Sequence, residues 1–121
     1  MNYQEYTSLN VWQESKQLVV DVYLITSNFP VTEMYGLTSQ IRRCAVSIPS
    51  NIAEGCGRNH IKDSMQFFYI SRGSLYELET QIYISQELGY ISSEELTKIM
   101  SQIVVCKKLL NGFINYFKTK I

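Results

Sequence analysis

One histidine, His60, stands in a chain of 121 residues, and that scarcity excludes a good deal of chemistry. His-Glu-x-x-His, the paired Glu-x-x-His of carboxylate di-iron bundles and Cys/His zinc sites all lack their ligands, so no metal or other cofactor is expected. The three cysteines, Cys44, Cys56 and Cys106, are odd in number and widely spaced, with no Cys-x-x-Cys. Such thiols suit a reducing compartment better than a disulfide framework and read as small packed side chains. Charge is also scarce, at 18% against the usual ~25%, which leaves surface free to face a partner. Eleven Lys and Arg balance eleven Asp and Glu, so no global field draws the chain to nucleic acid or an anionic membrane, and any such binding needs a local patch. No apolar run exceeds four residues, as in Val22 to Ile25 and Ile103 to Cys106, and Met1-Asn2-Tyr3-Gln4-Glu5 has neither a basic nor an apolar leader region. The expectation is a soluble, cytoplasmic protein with no membrane contact. Two prolines and six glycines within a 45% apolar composition exclude a disordered or collagen-like polymer, and the length suits one domain, residues 1–121.

What is present is helical periodicity. From Asn10, a candidate N-cap, to Ser27, the positions Trp12, Val19, Val22, Tyr23 and Thr26 form one stripe, widened by Leu18 and Ile25. Asn28-Phe29-Pro30 stops this helix, and Thr32 is placed to cap the next, with Glu33 near its positive end. Leu37, Ile41, Ala45, Ile48 and Ile52 then share a face, although Pro49 among them predicts a kink or short break. Gly55-Cys56-Gly57 ends the segment. A third helix, capped by Asp63 or Ser64, carries Phe68, Ser71, Leu75, Leu78, Ile82 and Ser85 inward and stops at Gly89. Ser92 with Glu95 is a capping box, and beyond it Leu96, Ile103, Leu110 and Phe117 recur every seven residues, interleaved with Ile99, Cys106 and Phe113. Short connections between four helices predict an all-α, antiparallel up-down-up-down four-helix bundle.

No catalytic constellation accompanies this pattern. His60 reads as a solvated loop residue, and Gly55-x-Gly57, without a third glycine or a preceding strand, reads as a helix end. Glu77 and Glu79 are two apart on a helix, about 200° around its axis, and cannot cooperate as an acid and base. The polar residues bordering the apolar stripes instead make a candidate contact network between helices or subunits: Arg42, Arg43, Ser47, Asn51, Glu54 and Arg58 on and after the second segment, with Ser74, Glu77 and Glu79 on the third. Arg42, Arg43 and Arg58 are expected to pair with Glu54, Glu77 or Glu79, within or between subunits. Charge is also segregated. Five acids and no base lie from Glu77 to Glu95, whereas five lysines and no acid follow from Lys98. In a bundle these fall toward opposite ends, and Arg58, Lys62, Lys118 and Lys120 become candidate phosphate contacts at the basic end.

Val11-Trp12-Gln13, Phe29-Pro30, Glu33, the run Tyr35 to Arg43, and above all Ser47-Ile48-Pro49-Ser50-Asn51-Ile52-Ala53-Glu54-Gly55 resemble the 23S rRNA intervening sequence proteins. Gly73-Ser74-Leu75, Glu77-Leu78-Glu79-Thr80-Gln81 and Leu88-Gly89-Tyr90 continue the likeness, which covers about residues 11–117. The resemblance implies a small bacterial four-helix protein that assembles as a homopentameric ring and has no established enzymatic activity. Similar bundles are accessory proteins of diversity-generating retroelements, which implies a surface for nucleic acid and reverse transcriptase. The neutral charge of this chain departs from the basic surface such binding uses. A closed ring needs heterologous contacts, and nine tyrosines suit an interface where rings pack and hydroxyls stay wet. The expectation is a noncatalytic homo-oligomeric scaffold with no small-molecule substrate, whose partner is RNA or another nucleic acid. The alternative is an accessory subunit with a protein partner and no nucleic-acid binding; more remote is an RNA-processing enzyme.

Overall fold

The four periodic segments become α1 (Asn10–Thr26), α2 (Leu37–Cys56), α3 (Ile61–Glu87) and α4 (Ser93–Lys118), with short 3₁₀ turns at Tyr6–Ser8 and Val31–Glu33. The structure is a computed structural model describing residues 5–121, and among these residues there is no strand. The reading of residues 1–4 as lacking a leader lies outside the described residues. No helix is long and apolar enough to cross a membrane among them.

The stripes meet in one core. Leu18 from α1, Ile41, Ile48 and Ile52 from α2, Phe68, Leu75, Leu78 and Ile82 from α3, and Ile99, Ile103, Leu110 and Ile114 from α4 are completely buried. Each such side chain contributes about 1.5–3 kcal/mol of burial free energy. α1 packs on α2 and α4, and α3 packs on the same two. Early residues of one helix meet late residues of its neighbour: Arg42 reaches Thr26, Gly55 lies against Ser64 and Phe68, and Arg72 meets Asn111.

Local chemistry shifts three helix starts. Leu9, in extended conformation, precedes α1, so Asn10 is its first helical residue rather than its cap. α2 begins at Leu37, not near Thr32, because Val31–Glu33 closes its own 3₁₀ turn and Glu33 then reaches forward to accept the Leu37 N–H with Oε1 at 3.2 Å. α3 begins at Ile61; Ser64, buried inside the first turn, gives its hydroxyl to the His60 carbonyl instead of capping. Ser92 and Glu95 form the expected capping box on α4. Pro49 lies inside a continuous α2, so the short break expected as one of two outcomes does not occur. It is buried between helices that hold the segment by packing, and that constraint outweighs one missing backbone bond. Gly89, at φ +78°, ends α3 in the left-handed region, and the Tyr90 N–H returns to the Ser85 carbonyl at 2.9 Å.

Candidate functional site

Between α2 and α3 runs a seam of small and polar groups. Ser71 Oγ donates to the Ile48 carbonyl at 2.8 Å, and the hydroxyls of Ser47 and Ser74 lie 2.7 Å apart while Ser47 also donates to the Cys44 carbonyl. The Cys44 thiol faces the Ser74 carbonyl at 3.1 Å and Glu77 Oε1 at 3.4 Å. Burial, then the Glu77 hydrogen bond and charge, push that thiol up to about 12. Asn51 Nδ2 donates to the Ser47 carbonyl at 2.7 Å. A Cβ on Gly55 would run into the Phe68 ring, 2.8 Å from its Cδ1, and lie 3.0 Å from the Ser64 carbonyl, so the two backbones approach closely here. Thus Ser47, Asn51, Ser74 and Glu77 do join one network, a structural seam between helices of one chain.

The arginines and the other acids go elsewhere. Arg42 pairs with none of Glu54, Glu77 or Glu79 within the chain. Its Nε donates to Thr26 Oγ1 at 2.8 Å and its Nη2 to the Tyr23 carbonyl at 3.4 Å, with the guanidinium 4.6 Å from the centre of the Tyr23 ring. α1 has no basic residue in its last turn, so Arg42 supplies the cation that the negative helix end favours. Arg43 is exposed and belongs to no ion pair among the described residues. Arg58 bridges to Glu54 at 3.3 Å across one exposed helical turn, and Glu79 is held by Lys107 Nζ at 2.7 Å and 2.8 Å.

The candidate phosphate contacts come to one end of the molecule, where Phe68 near the start of α3 packs on Phe113 and Phe117 near the end of α4. Two of the four are already engaged within the chain. Arg58, besides its Glu54 bridge, lies 4.5 Å from the Phe67 ring centre, and Lys120 lies 4.9 Å from that of Tyr116. Lys62 and Lys118 are exposed. Among the described residues six of the eleven Lys and Arg side chains sit over aromatic rings. That is several times the ordinary frequency of roughly one per 70–80 residues, so much of the positive charge is already held by quadrupoles.

Sequence reasoning missed two features. The first is a tie between connections: Tyr90 donates its hydroxyl to Glu33 Oε2 at 2.8 Å and leans on Phe29, while Glu33 caps α2 with its other oxygen. The hydrogen bond to Glu33 and its negative charge, with some desolvation between them in weight, push the Tyr90 phenol up. The second is a groove along α1 and α2, with depressions of about 290 Å³ and 410 Å³ that share Val46. Trp12, Val19, Val20 and Pro49 line the first, and Tyr23, Met34, Arg42 and Arg43 the second. The signal for it was the width of the α1 stripe, too broad for a single core-facing strip. No group of three or more His, Cys, Asp or Glu able to hold a metal occurs among the described residues.

The model of the 23S rRNA-intervening sequence protein family matches residues 7–112. The chain belongs to this family. A solved structure of a Bacteroides thetaiotaomicron protein of unknown function from the S23 ribosomal protein family is similar, with a TM-score of 0.77 and 23% identity over 86% of this chain and 97% of that one. At that identity the likeness establishes the fold alone. No curated protein matches. The residues by which this chain resembles the 23S rRNA-intervening sequence proteins have physical roles in the fold. Ser47, Ile48, Asn51 and Gly55 build the close α2–α3 seam, and Phe29, Glu33, Leu37 and Tyr90 tie two connections together.

Proposed function

We propose that this member of the 23S rRNA-intervening sequence family is a noncatalytic subunit of a homo-oligomeric ring, a pentamer by family resemblance, that serves the cytoplasm as a binding scaffold. Each subunit is a bundle whose helices run alternately up and down, a topology supported by the pairing of early residues on one helix with late residues on the next. One observation carries the assembly reading: apolar surface is left uncovered on the α1–α2 side. Val31 is 82% and Tyr35 94% exposed, beside the groove in which Val20, Tyr23, Met34 and Val46 are also exposed. Monomers rarely leave contiguous apolar surface of this kind in water. The noncatalytic reading is supported by what the titratable groups do. Glu77 lies against Cys44, Glu79 is neutralised by Lys107, and Glu33 is divided between a helix end and Tyr90. Sedimentation velocity at micromolar concentration tests the assembly: a species well above the 14.0 kDa chain is expected, and a solitary chain overturns it.

A second reading, RNA or another nucleic acid as the partner, draws on the α4 end. Exposed Tyr116 stands edge-on to Phe117 with Lys120 over its face, an arrangement able to stack a base next to a phosphate contact. Binding across a salt series separates it from a protein partner.

A further inference from the structure

We infer that the α1–α2 groove of one copy is filled by the outer stripe of α3 on a second copy, centred on Ile84 and Leu88. The inference rests on the self-association proposed above and names its two surfaces. The groove is apolar at Trp12, Val20 and Val46, and its charged members are all cations: Lys16, Arg42 and Arg43. None of the three has a carboxylate partner among the described residues, whose ion pairs are Arg58 with Glu54 and Lys107 with Glu79.

The α3 stripe has the opposite sign. Glu77, Thr80, Ile84, Glu87 and Leu88 recur at three- and four-residue steps, and all five are exposed. Ile84 and Leu88 are large apolar side chains left in water, and neither Glu77, which meets only the Cys44 thiol, nor Glu87 has a cation partner among the described residues. Glu87 is the last residue of α3, where the helix end is itself negative, and no basic residue lies in that turn. At the end of α1 the same need is met by Arg42 from the neighbouring helix, whereas among the described residues no cation is paired at the end of α3. An apolar, acid-free groove with three cations that lack a carboxylate partner and an apolar, base-free stripe with two carboxylates that lack a cation partner are complementary. Because they are different surfaces of one chain, their contact is heterologous, and repetition closes a ring or continues as a filament.

This geometry has a signature that a symmetric dimer contact lacks. Val46→Asp disables the groove and leaves the stripe; Ile84→Asp does the reverse. Both positions are exposed, so the core is untouched. By sedimentation velocity each variant alone is expected to fall to the 14.0 kDa chain. Mixed at equal concentration they are expected to form a heterodimer and nothing larger, because one intact groove meets one intact stripe and no further pair remains. Heterodimer formation also shows that both variants are folded. A wild type that assembles while both variants keep its full size overturns this pairing and leaves the ring reading standing. Variants that are solitary alone and stay solitary when mixed also overturn it. A wild type that is itself solitary overturns both.

Discussion

At the scale of single residues the seam between α2 and α3 sets the tolerances. Gly55→Ala adds one methyl where the Phe68 ring and the Ser64 carbonyl leave no room, and Phe68 is wholly buried with no free direction of retreat. Overpacking of that kind costs about 1–3 kcal/mol, and with a wholly buried ring in the way it outweighs the roughly 1 kcal/mol that alanine gains over glycine in helix propensity. Urea denaturation should therefore give a lower midpoint for Gly55→Ala with an unchanged slope. The cysteines give a pH dependence. Burial and Glu77 push Cys44 up to about 12, and burial, partly offset by a Ser15 hydrogen bond, pushes Cys106 up to about 11. Below the ordinary thiol value of about 9 both folded and unfolded chains hold these protons, and stability is independent of the thiols. Above it the unfolded chain releases protons that the folded chain retains, so stability falls as pH rises from about 9 toward 11. Thermal melts should be level to about pH 9 and decline beyond it, and Cys44→Ala should decline less steeply than the wild type.

At the scale of elements, two ion pairs of similar appearance should behave differently. Lys107 and Glu79 join α3 to α4 with side chains 21% and 22% exposed, and Lys107 also lies 4.5 Å from the Tyr76 ring centre. Arg58 and Glu54 lie within one stretch of chain at 45% and 57% exposure. Lys107→Ala should cost about 1–2 kcal/mol, because it strands a half-buried carboxylate and uncovers a ring, and Arg58→Ala under about 0.5 kcal/mol. A stability comparison of the two at low and high salt would check the order. The sequence made the α4 start and the inward stripes of α2, α3 and α4 legible, because capping boxes and seven-residue repeats are local signals that packing reinforces; on α1 it set the stripe too far toward Trp12, Val19 and Tyr23, whereas Val11, Ser15, Leu18, Val22 and Thr26 are buried. It misplaced the α2 start because Glu33 caps from four residues away, a geometry set by the 3₁₀ turn and by Tyr90, 57 residues on. It did not show that within the chain Arg42 turns to the end of α1, for the same reason: an arginine's partner is chosen by which helix end lies within reach, and periodicity along one helix says nothing of its neighbour. Pro49 does not interrupt α2, because propensity speaks for an isolated helix and burial decides for a packed one.

For the whole molecule the decisive quantity is how much positive charge remains free to meet phosphate. The chain is neutral, six of its basic groups rest on rings, and two of its cations are paired with carboxylates. At the α4 end, Arg58, Lys62, Lys118 and Lys120 set an upper bound of four phosphate contacts per subunit, and Arg58 would first have to leave Glu54. Each contact contributes about 0.9 to the slope of log K against log salt for a duplex and about 0.7 for a single strand, so one subunit yields a slope of about −3 to −4 at most. A ring would collect several such patches on one polymer and bind through avidity, with each patch weak. The expected result for the purified protein is measurable binding to single-stranded RNA at low salt that fades steeply toward physiological salt. Lys118→Ala with Lys120→Ala should reduce the magnitude of the slope by about 1.4–1.8 per engaged subunit and leave assembly unchanged, since neither lysine lies in the groove or on the α3 stripe. Binding undetectable even at low salt would instead assign the scaffold to a protein partner, because a neutral surface rich in exposed tyrosine and aliphatic side chains has the composition that protein interfaces favour.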